Sequence, residues 1–206
     1  MVRIKSPIFT INPNFRLQTP HLELTWHIVP VEVLQSEAVM LGPVARIYSV
    51  KSGVEIIVMF RDETLDIIYH ADTDFSTSKI QKWLREQIKT IIYEVANRIL
   101  PMRVAYWEKE KGLKGNGAIV KKQRKNTMAC CTFQNQIQMQ PYLVLFKQEW
   151  LDAVILHEMS HYKYKHHRKS FWKLLSTLLG EESKLQKVKQ DIAMSPYFEF
   201  VWFLTK

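Results

Sequence analysis

Residues 22–29, LELTWHIV, set Leu22, Leu24, Trp26 and Ile28 against polar partners with a period of two, the pattern of a half-buried strand. Residues 44–50, 54–60 and 65–70 are also rich in Val, Ile and Tyr and read as strands. Lys51, Ser52 and Gly53 stand between the first two of these and predict a hairpin turn. The first seventy residues are therefore expected to be mostly β, as an antiparallel meander. After Asp74 the period changes. Ile80, Trp83, Leu84, Ile88, Ile91, Ile92, Val95 and Ile99 keep one face of a helix for about six turns, which Pro101 is expected to end. Ser78 followed by Gln81 fits a capping box at its start.

Gly112, Gly115 and Gly117, with the basic run Lys121, Lys122, Arg124 and Lys125, predict a loop over 107–127 that leads into a strand. Strands are expected at 128–133 and 137–146, with Gln134, Asn135 and Gln136 as the turn between them. Helices should follow at 148–163, 169–179 and 182–193. No internal repeat and no Pro/Gly/Ser linker interrupts this order, so it predicts one α+β unit.

The chain has 206 residues, 47% of them apolar and 24% charged, enough for a real core and unlike a disordered or collagenous chain. Cys130 and Cys131 are its two cysteines, and adjacent residues rarely have the geometry for a mutual disulfide. The expectation is a reducing cytoplasm, with both cysteines as small buried side chains on a strand. The start, MVRIKSPIFTINP, has no apolar h-region, so no secretory signal is expected, and YFEFVWFL near the end is too short to span a bilayer. Net charge is +9. Residues 1–100 carry eleven basic and eleven acidic side chains, whereas residues 101–206 carry eighteen and nine. The second half is where an anionic partner is sought.

That half also holds His157-Glu158-Met159-Ser160-His161. Two histidines four apart on a helix differ by about 40° in direction and about 6 Å in rise, so both imidazoles reach one ion from the same face. Glu158 sits about 100° round from His157, beside the metal but outside its ligand set, where a carboxylate can take a proton from a zinc-bound water. Leu151, Val154 and Ile155 give the helix an apolar flank that holds it in the core. The competing readings are a structural metal site and a solvated His/Lys face, since Lys163, Lys165, His166, His167, Arg168 and Lys169 follow at once.

A catalytic zinc needs a third protein ligand and an open position. His167 lies ten residues after His157, which in an unbroken helix would carry it about 15 Å further along, so the helix must stop near Lys165 and double back. Glu181, twenty-four residues after His157, and His166 are the alternatives, and spacing leaves the choice open.

The segment HEMSHYKYKHHRKSFW, residues 157–172, resembles the signature of the YgjP-like zinc metallopeptidase family, relatives of the SprT and Wss-type small zincins. His167, Phe171 and Trp172 fall at the matching offsets. The resemblance implies that His157, His161 and His167 bind Zn²⁺ and that Glu158 is the general base, with no ligand role for His166. Ala129 to Thr132 and the strand after it look like the family's hairpin beside the active site, with Met128 where the family has Trp. Tyr164 stands where the metzincins have a glycine, so the chain must reverse without one.

The implied architecture is α+β and zincin-like: N-terminal antiparallel strands, a long helix, a small sheet, the HExxH helix and C-terminal helices. Residues 41–206 would form the metallopeptidase domain as a single catalytic unit, and residues 1–40 an extension or diverged start. The implied activity is zinc-dependent hydrolysis of peptide bonds in a peptide or protein substrate. Alternatives within the family are a nucleotide pyrophosphatase acting on UTP-type substrates and a nucleic-acid-associated protease of SprT type. No nucleic-acid-binding motif supports the last, and no membrane association is expected.

Overall fold

The computed structural model describes residues 9–41, 45–51, 53–122, 127–183, 187 and 200–204. The chain divides into two compact units, Met1–Ile91 with Trp202–Lys206, and Ile92–Val201, the first boundary falling inside the long helix.

The first unit is built on a five-stranded sheet. Strands β1 (Gln18–Thr19) and β2 (Leu22–Ile28) are followed by helix α1 (Val31–Leu41), then β3 (Arg46–Val50), β4 (Gly53–Arg61) and β5 (Thr64–Tyr69), in the spatial order β1-β2-β5-β4-β3. The expected β3–β4–β5 meander is present and antiparallel, with Ile57 opposite both Ile47 and Ile68. Strand β2 departs from the expectation by pairing with β5 in parallel, Trp26 opposite Ile67. Parallel neighbours need a crossover, and α1 with β3 and β4 forms it. Helix α1 was not expected, because VEVLQSEAVML carries only a short apolar stripe. That stripe covers one face of the sheet, where Leu34 packs in a cluster with Ile57, Met59 and Ile68. On the other face Tyr48, beside Ile56, meets Trp83 with ring centroids 5.4 Å apart. Both faces of β4 are thus covered, which explains its unbroken run Ile56-Ile57-Val58-Met59 of buried residues. Asp62 and Glu63 close the β4–β5 hairpin at φ 49° and 65°, left-handed as a two-residue turn requires.

Helix α2 spans Ser78–Glu110. Gln81 does not complete a capping box. Its main-chain N–H donates to Thr77 O at 3.0 Å, while its side chain donates to Phe75 O and Ile11 O and accepts from Ile11 N–H. Pro101 does not end the helix either. A mid-helix proline forfeits one hydrogen bond and costs about 3 kcal/mol. Fully buried Leu100 and Val104 and the ion pair of Arg103 with Asp152 hold the turns on either side.

The second unit carries a three-stranded sheet, β6 (Ala118–Val120), β7 (Ala129–Cys131) and β8 (Ile137–Met139), ordered β6-β8-β7. The expected antiparallel hairpin is β7–β8, and β6 joins β8 in parallel. The strand expected to run to residue 146 stops at Met139. Pro141 starts a 3-10 turn over Pro141–Leu145 whose side chains are all buried, and such an all-apolar run has no period to separate turn from strand. Helices α3 (Gln148–Ser160) and α4 (Lys169–Leu179) follow at the expected places. Gly180, at φ 77°, ends α4 and donates its N–H to Ser176 O. Most of the helix expected over 182–193 lies outside the described residues, as do Arg124 and Lys125. Among the described residues no helix is long and apolar enough to cross a membrane.

Candidate metal centre

Helix α3 buries Leu151, Ile155 and Met159 completely, and this fixes the rotation that turns His157 and His161 to a common side. The helix ends at Ser160. His161 caps it in right-handed geometry, donating its N–H to Glu158 O and Met159 O, and Tyr164 N–H reaches back to Ser160 O at 3.1 Å. Residues 161–168 reverse the chain with no left-handed residue, so Tyr164 needs none of the freedom a glycine would bring. The reversal carries His167 back to the pair. One ring nitrogen from each of His157, His161 and His167 lies within 4.8 Å of the others.

Several features make this group suited to a metal ion. His157 Nε2 and His167 Nε2 are 3.1 Å apart. Two nitrogens held about 2.0–2.1 Å from a tetrahedral ion stand roughly 3.3 Å from one another, so little movement is needed. His161 Nδ1–H donates to Tyr164 O at 2.8 Å, which leaves Nε2 as the free lone pair, the usual device for orienting a ligating histidine. Phe171, fully buried, supports all three rings, its centroid 4.9 Å from His157 and 4.6 Å from both His161 and His167. Trp172 Nε1 donates to His167 O at 2.9 Å.

In the metal-free protein, burial and then the neighbouring charges of His161, His167 and Lys187 push His157 down to about 3. Burial also lowers His161 and His167. All three are then neutral at physiological pH, the form that offers lone pairs to a cation.

Glu158 is buried, 7% exposed. Burial drives its carboxyl up to about 7, against a hydrogen bond from the Cys131 main chain and the charge of Lys165. The β7–β8 hairpin therefore touches the carboxylate directly, and a divalent cation nearby would favour its charged form. Cys130 and Cys131 lie on β7 as expected but are half-buried rather than enclosed, and burial raises both thiols.

Of the three candidates for third ligand, His167 joins the cluster. His166 instead accepts the Arg168 N–H on Nδ1 at 3.2 Å, and neither it nor Glu181 belongs to the histidine group. Tyr162, next to His161, donates to Glu108 Oε1 at 2.8 Å, a structural contact. Sequence reasoning missed Lys165, which lies in a Lys/His run that reads as a solvated face; its Nζ donates to Thr132 O at 2.6 Å and Asn135 Oδ1 at 2.7 Å.

The framework is thus a mixed α+β one, in which a long helix, a small sheet and the HExxH segment bring two histidines together with a third. The chain matches the YgjP-like, metallopeptidase domain family over residues 42–189 and belongs to that family. It is an enzyme of the metallopeptidase type, a class that uses a divalent metal, usually zinc, and acts on peptide or protein substrates.

No curated protein matches the chain. Among solved structures it is similar to the metallopeptidase zymogen jannalysin of Methanocaldococcus jannaschii, at 23% identity and TM-score 0.35, covering 44% of this chain and 95% of that one. It is also similar to Wss1 from Saccharomyces cerevisiae, at 19% identity and TM-score 0.33, covering 42% of this chain and 73% of that one.

Proposed function

We propose that the protein hydrolyses peptide bonds with one Zn²⁺ held by His157, His161 and His167, and with Glu158 as general base. The observation that carries this reading is the convergence of one ring nitrogen from each of His157, His161 and His167 within 4.8 Å, beside the buried carboxyl of Glu158. When bound, the ion supplies Lewis acidity, making water acidic enough to attack at neutral pH and polarising the scissile carbonyl. Glu158 accepts the proton of the attacking water on a carboxylate oxygen and returns it to the leaving nitrogen. The hydrogen bond from the Cys131 main chain keeps that carboxylate from rotating away. The His161–Tyr164 bond and the Phe171 ring hold the imidazoles, so the ligand set is organised before metal arrives. The catalytic unit is taken as residues 41–206, with residues 1–40 as an addition supplying β1, β2 and most of α1.

The test compares wild type with Glu158→Gln for zinc content, casein hydrolysis and UTP hydrolysis. Zinc retained at one per chain with casein turnover lowered about 10²–10⁴-fold supports the assignment. Turnover of UTP and not casein would redirect it to phosphoanhydride chemistry. Unchanged turnover in Glu158→Gln would remove Glu158 from the mechanism.

A further inference from the structure

Lys165 lies midway along the turn between His161 and His167, and its ammonium faces the β7–β8 hairpin. It donates to Thr132 O at 2.6 Å, to Asn135 Oδ1 at 2.7 Å and to Cys131 Sγ at 3.3 Å. An ammonium has three N–H donors, and all three are taken up by one short stretch of chain. The acceptors are themselves fixed. Asn135 is left-handed at φ 60° and donates its N–H to Thr132 O at 3.1 Å, while Thr132 N–H donates to Gln136 O at 2.9 Å. The near side of the ligand turn is closed by His161 Nδ1 on Tyr164 O, and the far side by Trp172 Nε1 on His167 O. Between these ties Lys165 supplies a link to a separate element. An ordinary surface lysine spreads its donors into water, because holding its long stem costs up to about 2 kcal/mol of rotamer freedom. Here a preformed hairpin turn offers converging acceptors.

We propose that Lys165 is a positioning residue for the metal centre. By tying the turn that carries His167 to the hairpin whose Cys131 main chain bonds Glu158, it sets the third ligand and the base in register with each other. The inference rests on reading the three histidines as a zinc site. Lys165 touches none of the reacting groups and acts through His167 and the hairpin.

The experiment measures zinc affinity of the full chain by chelator competition, alongside the thermal midpoint of the metal-free protein. Lys165→Met keeps the stem and removes the donors. It is expected to weaken zinc binding about tenfold or more at unchanged stoichiometry, the scale typical of residues that orient ligands. The metal-free midpoint should move little. Lys165→Arg, which can still reach Thr132 O and Asn135 Oδ1, should recover part of the loss. Asn135→Gly removes one acceptor while accommodating the left-handed backbone, and should weaken zinc in the same direction by less.

Zinc affinity of Lys165→Met within twofold of wild type would overturn the inference. So would a loss that tracks the metal-free midpoint and is not recovered by Lys165→Arg, since that describes a merely structural contact. If Lys165→Met does not fold, Asn135→Gly decides, and unchanged affinity there counts against the proposal. Wild type binding no zinc would sink the metal reading itself, before any variant is compared.

Discussion

Arg103 of α2 and Asp152 of α3 form a two-pronged ion pair, Nε to Oδ1 and Nη2 to Oδ2 both at 2.6 Å. Trp107 Nε1 and Gln148 Nε2 add donors to the same Oδ1, each at 2.9 Å. The side chains are only 26% and 15% exposed, so salt screens the pair incompletely. Asp152 stands five residues before His157, and through this knot α2 sets the position of the HExxH helix.

Asp152→Ala would remove an acceptor shared by a guanidinium, an indole N–H and an amide at once. The expected destabilisation is roughly 2–4 kcal/mol, read from urea unfolding midpoints. Asp152→Asn keeps one acceptor and should lose less. A loss below about 0.5 kcal/mol for the alanine variant would show that the knot is solvated in solution.

Phe171 is the shared support of the three imidazoles, and its full burial makes truncation costly. Phe171→Ala should destabilise the chain by about 3–5 kcal/mol. Phe171→Leu fills most of the volume but offers no flat ring face. It is expected to fold with a modest loss of stability and to bind zinc more weakly than wild type. Equal zinc affinity in the two proteins would mean that the rings are oriented by their hydrogen bonds alone.

The parts of the molecule legible in its sequence are those where a strong period coincides with a clear stop. Helices α3 and α4 begin where expected, and α4 ends at the glycine that its left-handed cap requires. The HExxH spacing by itself places two histidines on one face. Which residue joins the His157–His161 pair was not decidable from spacing, because it depends on the path of residues 161–168, along which the His161–Tyr164 and Lys165–hairpin bonds lie. Helix α1 escaped notice because Leu34 is its one fully enclosed apolar residue, and Val39 and Met40 stay 84% and 87% exposed. Pro101 misled for the opposite reason. Tertiary contacts at Leu100, Arg103 and Val104 outweigh the local penalty of a proline, and no local rule contains them. The β2–β5 pairing is a long-range choice that alternation within β2 cannot express.

Gly115 owes its identity to its neighbours. A Cβ built there would fall on the Tyr162 ring and on the Glu108 carboxylate, which are bonded to one another at 2.8 Å. Gly115→Ala should push Tyr162 off Glu108 and cost about 1–3 kcal/mol as overpacking, measured by thermal or urea unfolding. Because Tyr162 follows His161 directly, zinc affinity should fall as well. The double variant Gly115→Ala with Tyr162→Phe should recover little, since the ring itself blocks the methyl group. Full recovery would locate the strain at the hydroxyl instead.

Asp66 on β5 gives the first unit an acid limit. Burial raises its carboxyl, but hydrogen bonds from Thr25 and His27 and the charges of His27 and Arg61 outweigh this and hold it below the ordinary value. A carboxyl lowered by folding stabilises the native state above its unfolded pKa, near 3.9, and that contribution is lost as pH falls through the folded value. Wild type should therefore be more stable than Asp66→Asn at pH 6, and the gap should begin to close as the pH falls below about 4. Unfolding midpoints across pH 2.5–6 check this, and a constant gap would assign the effect to packing rather than ionisation.

Chelation separates a catalytic metal from a structural one. Leu151, Ile155, Met159 and Phe171 are fully buried, so α3 and α4 have an apolar reason to stay docked without an ion. EDTA treatment is expected to abolish hydrolysis while leaving the far-UV circular dichroism nearly unchanged. The thermal midpoint should still fall, because a ligand at a thousand times its Kd contributes about 4 kcal/mol to the native state. Unfolding should remain cooperative, and adding zinc back should restore activity and midpoint together. Loss of helical signal on chelation would instead mark the three histidines as a folding clamp, whose removal leaves the ends of α3 and α4 without sufficient support.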